Sequence, residues 1–409
     1  MSPLAPLADV QAEILAAVDR LDPVELALRD AHGLVLAATV ATDEDVPPFA
    51  NTAMDGYAVR AADTAGASAD APVRLRVVDE LAAGRAPEIP VGAGEAIRIM
   101  TGAPMPSGAD AVVMVERTRN VVADRVDIEA EVAAGLHVRA AGGDLHAGQT
   151  VFEAGTVLSG AAIGVLASVG AARVRVHPRP RVGVLSTGDE LVESGPLGPG
   201  KIRDSNRPML IGLVREAGLE PVDLGCAVDD EAKIIATLED AFDRCDAVLT
   251  SGGVSVGDYD YVKAALERFG ALEWRQVAIK PAKPLAFGVV QGVPVFGLPG
   301  NPVSSLVSFE LFARPALLQM AGRERRFRPE VLATAEHALS RHRDGKLHLD
   351  RVRVRWSGDG YVASRTGDQA SNVLSATAAA NGFALLDDGE GVAAGDTVRV
   401  MLVDAPPDH

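Results

Sequence analysis

Near the start of the chain, apolar side chains fall at Leu7, Val10, Ile14, Leu15, Val18 and Leu21, a helical spacing that predicts one amphipathic helix. "DEDVPPF" breaks that pattern, because paired prolines cannot continue a helix. From about 47 to 141 the rhythm shortens to runs such as "VRLRVVDEL", "EAIRIM" and "ADAVVMVE" between Gly/Pro turns, which predicts a small β-rich domain. "GTVLSGAAIGVLASVGAARVRVHPRP" returns to a helix and then a strand, and ends in a Pro-rich boundary near 180.

Residues 181 to about 320 alternate between the two periods. "RVGVLS", "EPVDLGCA", "DAVLTS" and "LEWRQVAI" read as strands. "NRPMLIGLVREAG", "DEAKIIATLEDAF", "DYVKAALERFG" and a closing "VSSLVSFELFARPALLQM" read as helices. Such alternation predicts a doubly wound, mostly parallel sheet, whose ligands sit beyond the carboxyl ends of its strands. From about 325 the runs "LDRVRVRW", "GYVASRT" and "DTVRVMLV" are β again. The expected fold class is α/β plus β. Its domains are a helical N-terminal domain of 1–46 plus 142–179, a β-rich domain of 47–141 inserted in it, the doubly wound domain of 180–324 and a C-terminal β domain of 325–409.

Charge narrows the function. A net charge of −17 argues against nucleic acid or an anionic membrane, since both require a basic face. An anionic substrate then needs a concentrated cationic site. Cys226 and Cys245 lie at or beside apolar runs without metal-ligand spacing, as expected of buried thiols in a reducing compartment. Early Asp9 and Glu13 argue against a signal peptide, and "GAAIGVLASVGAA" is too short to span a bilayer, so a cytoplasmic protein is expected.

Three segments fall at carboxyl ends of strands in the doubly wound domain. "LSTGDEL" supplies Thr187 and Gly188, "TSGGVSVGDYD" supplies Ser251, Gly252, Gly253 and Ser255, and "GLPGNPVSS" supplies Gly300, Asn301 and Ser304. Each alone is an ordinary strand-to-helix turn. Three on one sheet edge would offer backbone N–H groups and helix N-termini to phosphate. The lysine that a nucleotide P-loop needs after its glycines is missing.

"AIKPAKPLAF" adds cations, because Lys280 and Lys283 are each followed by proline, which is expected to keep the segment out of a central strand. Two ammoniums about 4 Å from a dianion each contribute about 4 kcal/mol at an effective dielectric near 20, before desolvation. The pair reads as an oxyanion clamp. Asp189, Glu190, Asp229, Asp258 and Asp260 crowd the same domain and would repel a phosphorylated ligand unless a hard cation lay between. Mg²⁺ suits such oxygen ligands, with Glu190, Asp258 and Asp260 as its candidate set. In the β-rich domain, Asn51, Thr52, Asp55, Thr101 and Gly102, with Asp144 beyond it, make polar turns that are unremarkable on physics alone.

Together, "NTAMDGYAVR", "IRIMTGAPMPSGADAVV", "VGVLSTGDEL", "TSGGVSVGDYDYVK" and "FGLPGNPVSS" closely resemble, in content and order, the molybdopterin molybdenumtransferase family, which includes MoeA and the E domain of gephyrin. The resemblance covers about residues 7 to 403. It implies a homodimer of elongated, four-domain subunits that completes molybdenum cofactor synthesis. Adenylylated molybdopterin is bound, its pyrophosphate linkage is cleaved in a Mg²⁺-dependent step releasing AMP, and molybdate is placed on the dithiolene. It further implies a cleft shared between subunits, with Asp55, Thr101 and Asp144 opposite Glu190, Asp229 and Asp260. Lys280, Lys283, Ser304, Arg351, Ser371 and Ser375 match positions like the family's molybdate pocket. The adenylyltransferase that supplies the substrate and the apoenzymes that accept the cofactor are the implied partners.

Two positions depart from the family's pattern. Ala282 stands where "KPGKP" is usual, and alanine strains that position by about 1 kcal/mol or more if it needs a positive φ. "GGDL" stands where Gly-Glu-Asp is common, so Asp144 loses an acidic neighbour. Two other functions fit parts of the chain. A molybdopterin adenylyltransferase shares a similar "TSGGxG" domain but needs neither the extra β domains nor the lysine clamp. A gephyrin-like scaffold need not keep its acids and lysines.

Overall fold

The computed structural model describes residues 4–122, 124–252, 264–265, 268–269 and 272–405. Gly253, Ser255, Asp258, Asp260 and most of "DYVKAALERFG" lie outside those residues. The chain divides into two compact units. One comprises Leu26–His32 with Ala38–Val174, and the other Met1–Glu25, Gly33–Ala37 and Arg175–His409. Among the described residues no helix is long and apolar enough to cross a membrane.

The smaller unit is built on a six-stranded sheet. Its order is Ala111–Met114, Gly56–Val59, Glu95–Ile99, Val73–Leu81, Arg125–Ile128 and Thr118–Val122. Both faces are covered, because successive side chains of a strand point to opposite sides. Tyr57, Val59 and Val113 enter one core, and Ala58, Ile97 and Val112 the other. The helix expected after residue 155 runs Gly160–Ser168, where Ser159 caps it by accepting from the Ala162 N–H at 3.2 Å.

The larger unit contains the doubly wound sheet. Its order is Glu220–Ala227, Arg181–Thr187, Ala247–Ser251, Val293–Leu298, Pro284–Val290 and Leu272–Gln276. The first four strands are parallel and the last two antiparallel. Val182, Val184, Ala247 and Leu249 face the helix Asn206–Glu216 through Leu210 and Val214. Leu185 and Val248 face the helix Glu231–Arg244 through Ile234, Leu238 and Ala241. Burial on both faces explains why these strands are nearly continuous apolar runs.

A third sheet closes on itself. Leu347–Trp356, Tyr361–Arg365, Glu330–Ala335, Thr397–Leu402 and Gly382–Leu386 pair in a ring, since the last also pairs with the first. Closure leaves those five strands no open edge. The short strand Ile279–Lys280 adds to it beside Leu347–His348. Leu349, Phe383, Leu385 and Met401 of the ring share one core with the doubly wound sheet.

Local differences from the sequence pattern have identifiable causes. The N-terminal helix stops at Ala16 rather than continuing to Leu21, and the chain beyond it packs Val18 into the core and bonds the Leu21 N–H to the Met320 carbonyl at 2.9 Å. "LEWRQVAI" is two strands, since Leu272–Gln276 pairs inside the doubly wound sheet while Ile279–Lys280 crosses to the ring. Pro284 opens a strand lying between two others, so the lysine-proline pairs do not keep that segment out of the sheet. Proline is tolerated there because it is the strand's first residue. The closing helix is Pro302–Ser308 and Arg314–Met320 joined by a π-helical Phe309–Ala313. Pro315 lacks the N–H that would bond the Leu311 carbonyl, and the ladder widens around it.

That π turn carries Glu310, whose side chain is 1% exposed and receives both Nε and Nη2 of Arg328, at 2.8 and 2.9 Å. Arg314 lies 3.8 Å from the same carboxylate. Burial lowers the Arg314 pKa, whereas the hydrogen bond to Glu310 raises that of Arg328. Glu310→Ala leaves both guanidiniums without this counter-charge and should lower stability by about 3–5 kcal/mol in denaturant unfolding. Ala282 has φ of 73° and is 2% exposed. Ala282→Gly relieves about 1 kcal/mol of left-handed strain but loses a buried methyl worth about 0.8 kcal/mol. Its thermal midpoint should therefore stay within about 2 °C of the parent in calorimetry.

Candidate active site

Strands 181–187, 247–251 and 293–298 are adjacent and parallel, so their carboxyl ends emerge along one edge. Ser186 lies beside Ser251, and Ser251 beside Leu298, which sets the three following turns in a row. The Gly252 N–H reaches the Leu298 carbonyl at 3.2 Å. A Cβ on Gly252 would lie 2.7 Å from the Thr187 carbonyl oxygen, and its φ of 97° also excludes other residues. A Cβ on Gly300 would lie 3.9 Å from the Gly252 Cα. Thr187, Gly188, Ser251, Gly252, Gly300 and Asn301 are thereby brought to one edge with closely approaching backbones.

A fourth segment, which the sequence pattern did not single out, clasps this row. Ser186 Oγ donates to Asp204 Oδ1 at 3.1 Å. Asn206 Nδ2 donates to Ser251 Oγ and to the Gly300 carbonyl, both at 2.7 Å. Arg207 anchors the clasp to Asp204 at 3.1 Å and to both oxygens of Asp223 at 2.6 and 2.7 Å. Asn206 Oδ1 is buried without a partner. The signal was present in "IRDSNRP", but Asp, Ser and Asn before a helix also read as ordinary caps.

The carboxylates at this edge divide. Asp189 Oδ1 accepts from the Asp229 N–H at 3.1 Å, and Asp229 Oδ2 from the Asp189 N–H at 3.2 Å, a reciprocal tie between two turns. Glu190 curls over Gly188, where a Cβ would meet Oε2 at 2.5 Å. Its hard oxygens are the donor type that Mg²⁺ takes. Among the described residues no cluster of three metal-ligating side chains forms, and Asp258 and Asp260 lie outside them. Cys226 is half-buried and Cys245 buried. Burial pushes the Cys226 thiol up to about 11 and raises Cys245 too, so neither is a thiolate nucleophile at neutral pH.

Next to the third turn lies a cavity of about 620 Å³, lined in part by Lys280, Lys283, Asn301, Ser304 and Ser371. Neither lysine ammonium has a hydrogen bond or ion pair among the described residues. Asn301 Nδ2 donates to Ser371 Oγ at 3.0 Å, and the Val303 N–H to the Ser371 carbonyl at 3.2 Å, joining this wall to the third turn. Arg351 is not on the wall. Its side chain is 1% exposed and donates to the carbonyls of Ala370 and Asp368 at 3.1 and 2.9 Å, so it supports the loop that carries Ser371. Ser375 is exposed and also off the wall.

Further lining comes from Arg341, His342, Lys346 and His348 of "RHRDGKLH", residues 341–348, a stretch the sequence pattern did not single out. Asp344 organises it, accepting from Arg341 at 2.9 Å and Lys346 at 2.8 Å, with His348 Nε2 at 3.1 Å. Burial opposes ionisation of Asp344, but the Lys346 and His348 bonds outweigh it and hold the carboxyl well below the usual range. The density of basic and histidine residues in that stretch was the signal available.

In the smaller unit, Asp55 Oδ1 accepts from both the N–H and the hydroxyl of Thr101, each at 2.7 Å. The backbone bond, then the hydroxyl, lowers its pKa although the carboxylate is exposed. Asp144 is exposed, and its N–H bonds the Val46 carbonyl at 2.9 Å rather than this pair.

Three family models match the chain. They are the MoeA N-terminal region (domain I and II) at residues 5–170, a probable molybdopterin binding domain at 183–319 and the MoeA C-terminal region (domain IV) at 338–403. The chain is 42% identical to molybdopterin molybdenumtransferase 2 of Mycobacterium tuberculosis, over 92% of this chain and 94% of that one. It is 35% identical to the molybdopterin molybdenumtransferase of Bacillus subtilis, over 92% and 89%. A solved molybdopterin biosynthesis MoeA protein from Pyrococcus horikosii superposes with a TM-score of 0.82 at 32% identity, covering 98% of this chain and 100% of that one. With these matches spanning nearly its whole length, the chain belongs to the MoeA family of molybdopterin molybdenumtransferases.

Proposed function

We propose that this transferase of molybdenum cofactor biosynthesis binds adenylylated molybdopterin, cleaves its phosphoanhydride with release of AMP and places molybdate on the dithiolene. The observation that carries the reading is the segment Gly300–Ser304. Gly300 belongs to the row of glycine turns, whereas Asn301 and Ser304 line the lysine cavity. A phosphate held on the turns therefore lies within a few residues of an oxyanion held by the lysines.

Thr187, Gly188, Ser251, Gly252, Gly300 and Asn301 hold the phosphates in this scheme, with Gly253 and Ser255 continuing their turn in sequence. Lys280, Lys283, Ser304 and Ser371 hold molybdate, and Arg351 acts through the 368–371 loop. Glu190, with Asp258 and Asp260, would hold Mg²⁺, which when bound supplies positive charge between these acids and the phosphate oxygens. Asp55 and Thr101, with Asp144 and Asp229, complete the proposed catalytic set. We further infer a homodimer, fed by an adenylyltransferase and passing its product to cofactor-accepting apoenzymes.

The direct test is to incubate the protein with adenylylated molybdopterin and Mg²⁺, with and without molybdate, and follow AMP. Molybdate-dependent release with active cofactor formed is the expected outcome. Bound pterin with no release in either case would sink the transferase reading. Two variants separate the roles. Lys283→Ala should raise the half-saturating molybdate concentration at least about tenfold, since even a third of one lysine's Coulomb contribution is a factor of ten. It should retain adenylylated pterin. Glu190→Gln should instead slow AMP release at saturating molybdate. Equal loss of pterin binding in both would show that this division is wrong.

A further inference from the structure

The cavity beside the third turn is larger than one tetrahedral oxyanion needs. At about 30 Å³ per water, a four-oxygen ion fills only a minor part of a space of about 620 Å³. What lies next to the lysine clamp therefore matters. His348 lines the same cavity and sits in the register position directly beside Lys280, on the neighbouring parallel strand. Its residue is 6% exposed, so its orientation is set by packing.

The ring is also held by hydrogen bonding. Nε2 faces both oxygens of Asp344, at 3.1 and 3.2 Å. That contact fixes which nitrogen carries the proton in the neutral ring, namely Nε2. Nδ1 is then an acceptor, and it has no hydrogen-bond partner among the described residues. An acceptor beside two lysines is poorly matched to an oxyanion, whereas an N–H there is well matched. We propose that His348 is a third member of the oxyanion clamp, taking a proton from solvent onto Nδ1 when the oxyanion binds, with Asp344 as the residue that positions it. The inference rests on the oxyanion reading of this cavity.

The charges around the ring support a coupled rather than a permanent charge. Lys280 stands beside it, Arg341 and Lys346 share Asp344 with it, and the His342 ring crosses it at 6.4 Å between centroids and 90°. On its other strand neighbour the register partner is apolar Leu386, followed by Asp387, whose carboxylate bonds Arg399, and Asp388, whose carboxylate bonds Arg341. Burial pushes the imidazolium pKa down, the Asp344 bond opposes this, and Arg341 and Lys280 lower it further. Without a bound anion the ring is therefore neutral near pH 7. A dianion in the clamp offsets the lysines and reverses the balance.

Calorimetric titration with molybdate, in two buffers of different ionisation enthalpy, reads this proton directly. The parent protein should take up close to one proton near pH 7. Its affinity should rise as pH falls from 8 to 6.5, by at most about tenfold per unit for one linked proton. His348→Gln should bind molybdate more weakly, without proton uptake and with a flatter pH profile. Asp344→Asn should keep part of the uptake but need a lower pH for it, since the ring loses the carboxylate that favours its charged form. Molybdate binding without proton uptake in the parent, or uptake that survives His348→Gln and disappears in His342→Gln, overturns the inference while leaving the clamp standing. No molybdate binding at all overturns the clamp reading and this inference together.

Discussion

A chain of net charge −17 that handles anions depends on cations that are not already engaged. Most of the arginines around the larger unit's cavity are engaged. Arg341 serves Asp344, Asp388 and several carbonyls, Arg365 serves Asp350, and Arg351 serves the 368–371 loop. Lys280 and Lys283 are different, since no described residue takes up either ammonium. An ion pair with a protein carboxylate would have to be broken before a ligand could bind. Unpaired, the lysines keep their full Coulomb attraction for any anion that enters the cavity.

The arrangement works only because two sheets meet in one core. The Ile279–Lys280 strand pairs with the closed ring, and four residues later Pro284 opens a strand of the doubly wound sheet. Lys280 ends the first of these strands and Lys283 lies on the short connection to the second. Ala282 accepts a positive φ within it, so backbone geometry at this link outranks the local preference of alanine. The Asp204–Asn206 clasp does comparable work at the turns, tying Ser186, Ser251 and Gly300 through side chains of one segment. Both devices fix positions of groups that come from distant parts of the chain.

Much of this was legible in the linear pattern. Continuous apolar runs such as "RVGVLS" and "DAVLTS" announced strands buried on both faces, and the intervening amphipathic runs announced their helices. Parallel strands of a doubly wound sheet must point their carboxyl ends the same way, so the glycine turns after 187, 251 and 298 were predictable as one site edge. Less legible were features whose meaning is not periodic. "IRDSN" looks like any helix cap, and the two strands within "LEWRQVAI" look like one, because a crossover between sheets leaves the alternation of side chains unchanged.

The sequence by itself determined most strands and helices of the doubly wound domain, the family and the turns that gather at the sheet edge, since these depend on local periodicity and on motifs contiguous along the chain. Tertiary structure alone decided which polar groups remain uncommitted. Arg351 and Lys280 are both cations near the same pocket by number, yet one is spent on carbonyls and the other faces open space. His348 became part of the cavity only because a parallel register set it beside Lys280 and Asp344 turned its ring. Hydrogen-bond partnership and burial are properties of neighbours brought together across dozens of residues, and no local pattern encodes them.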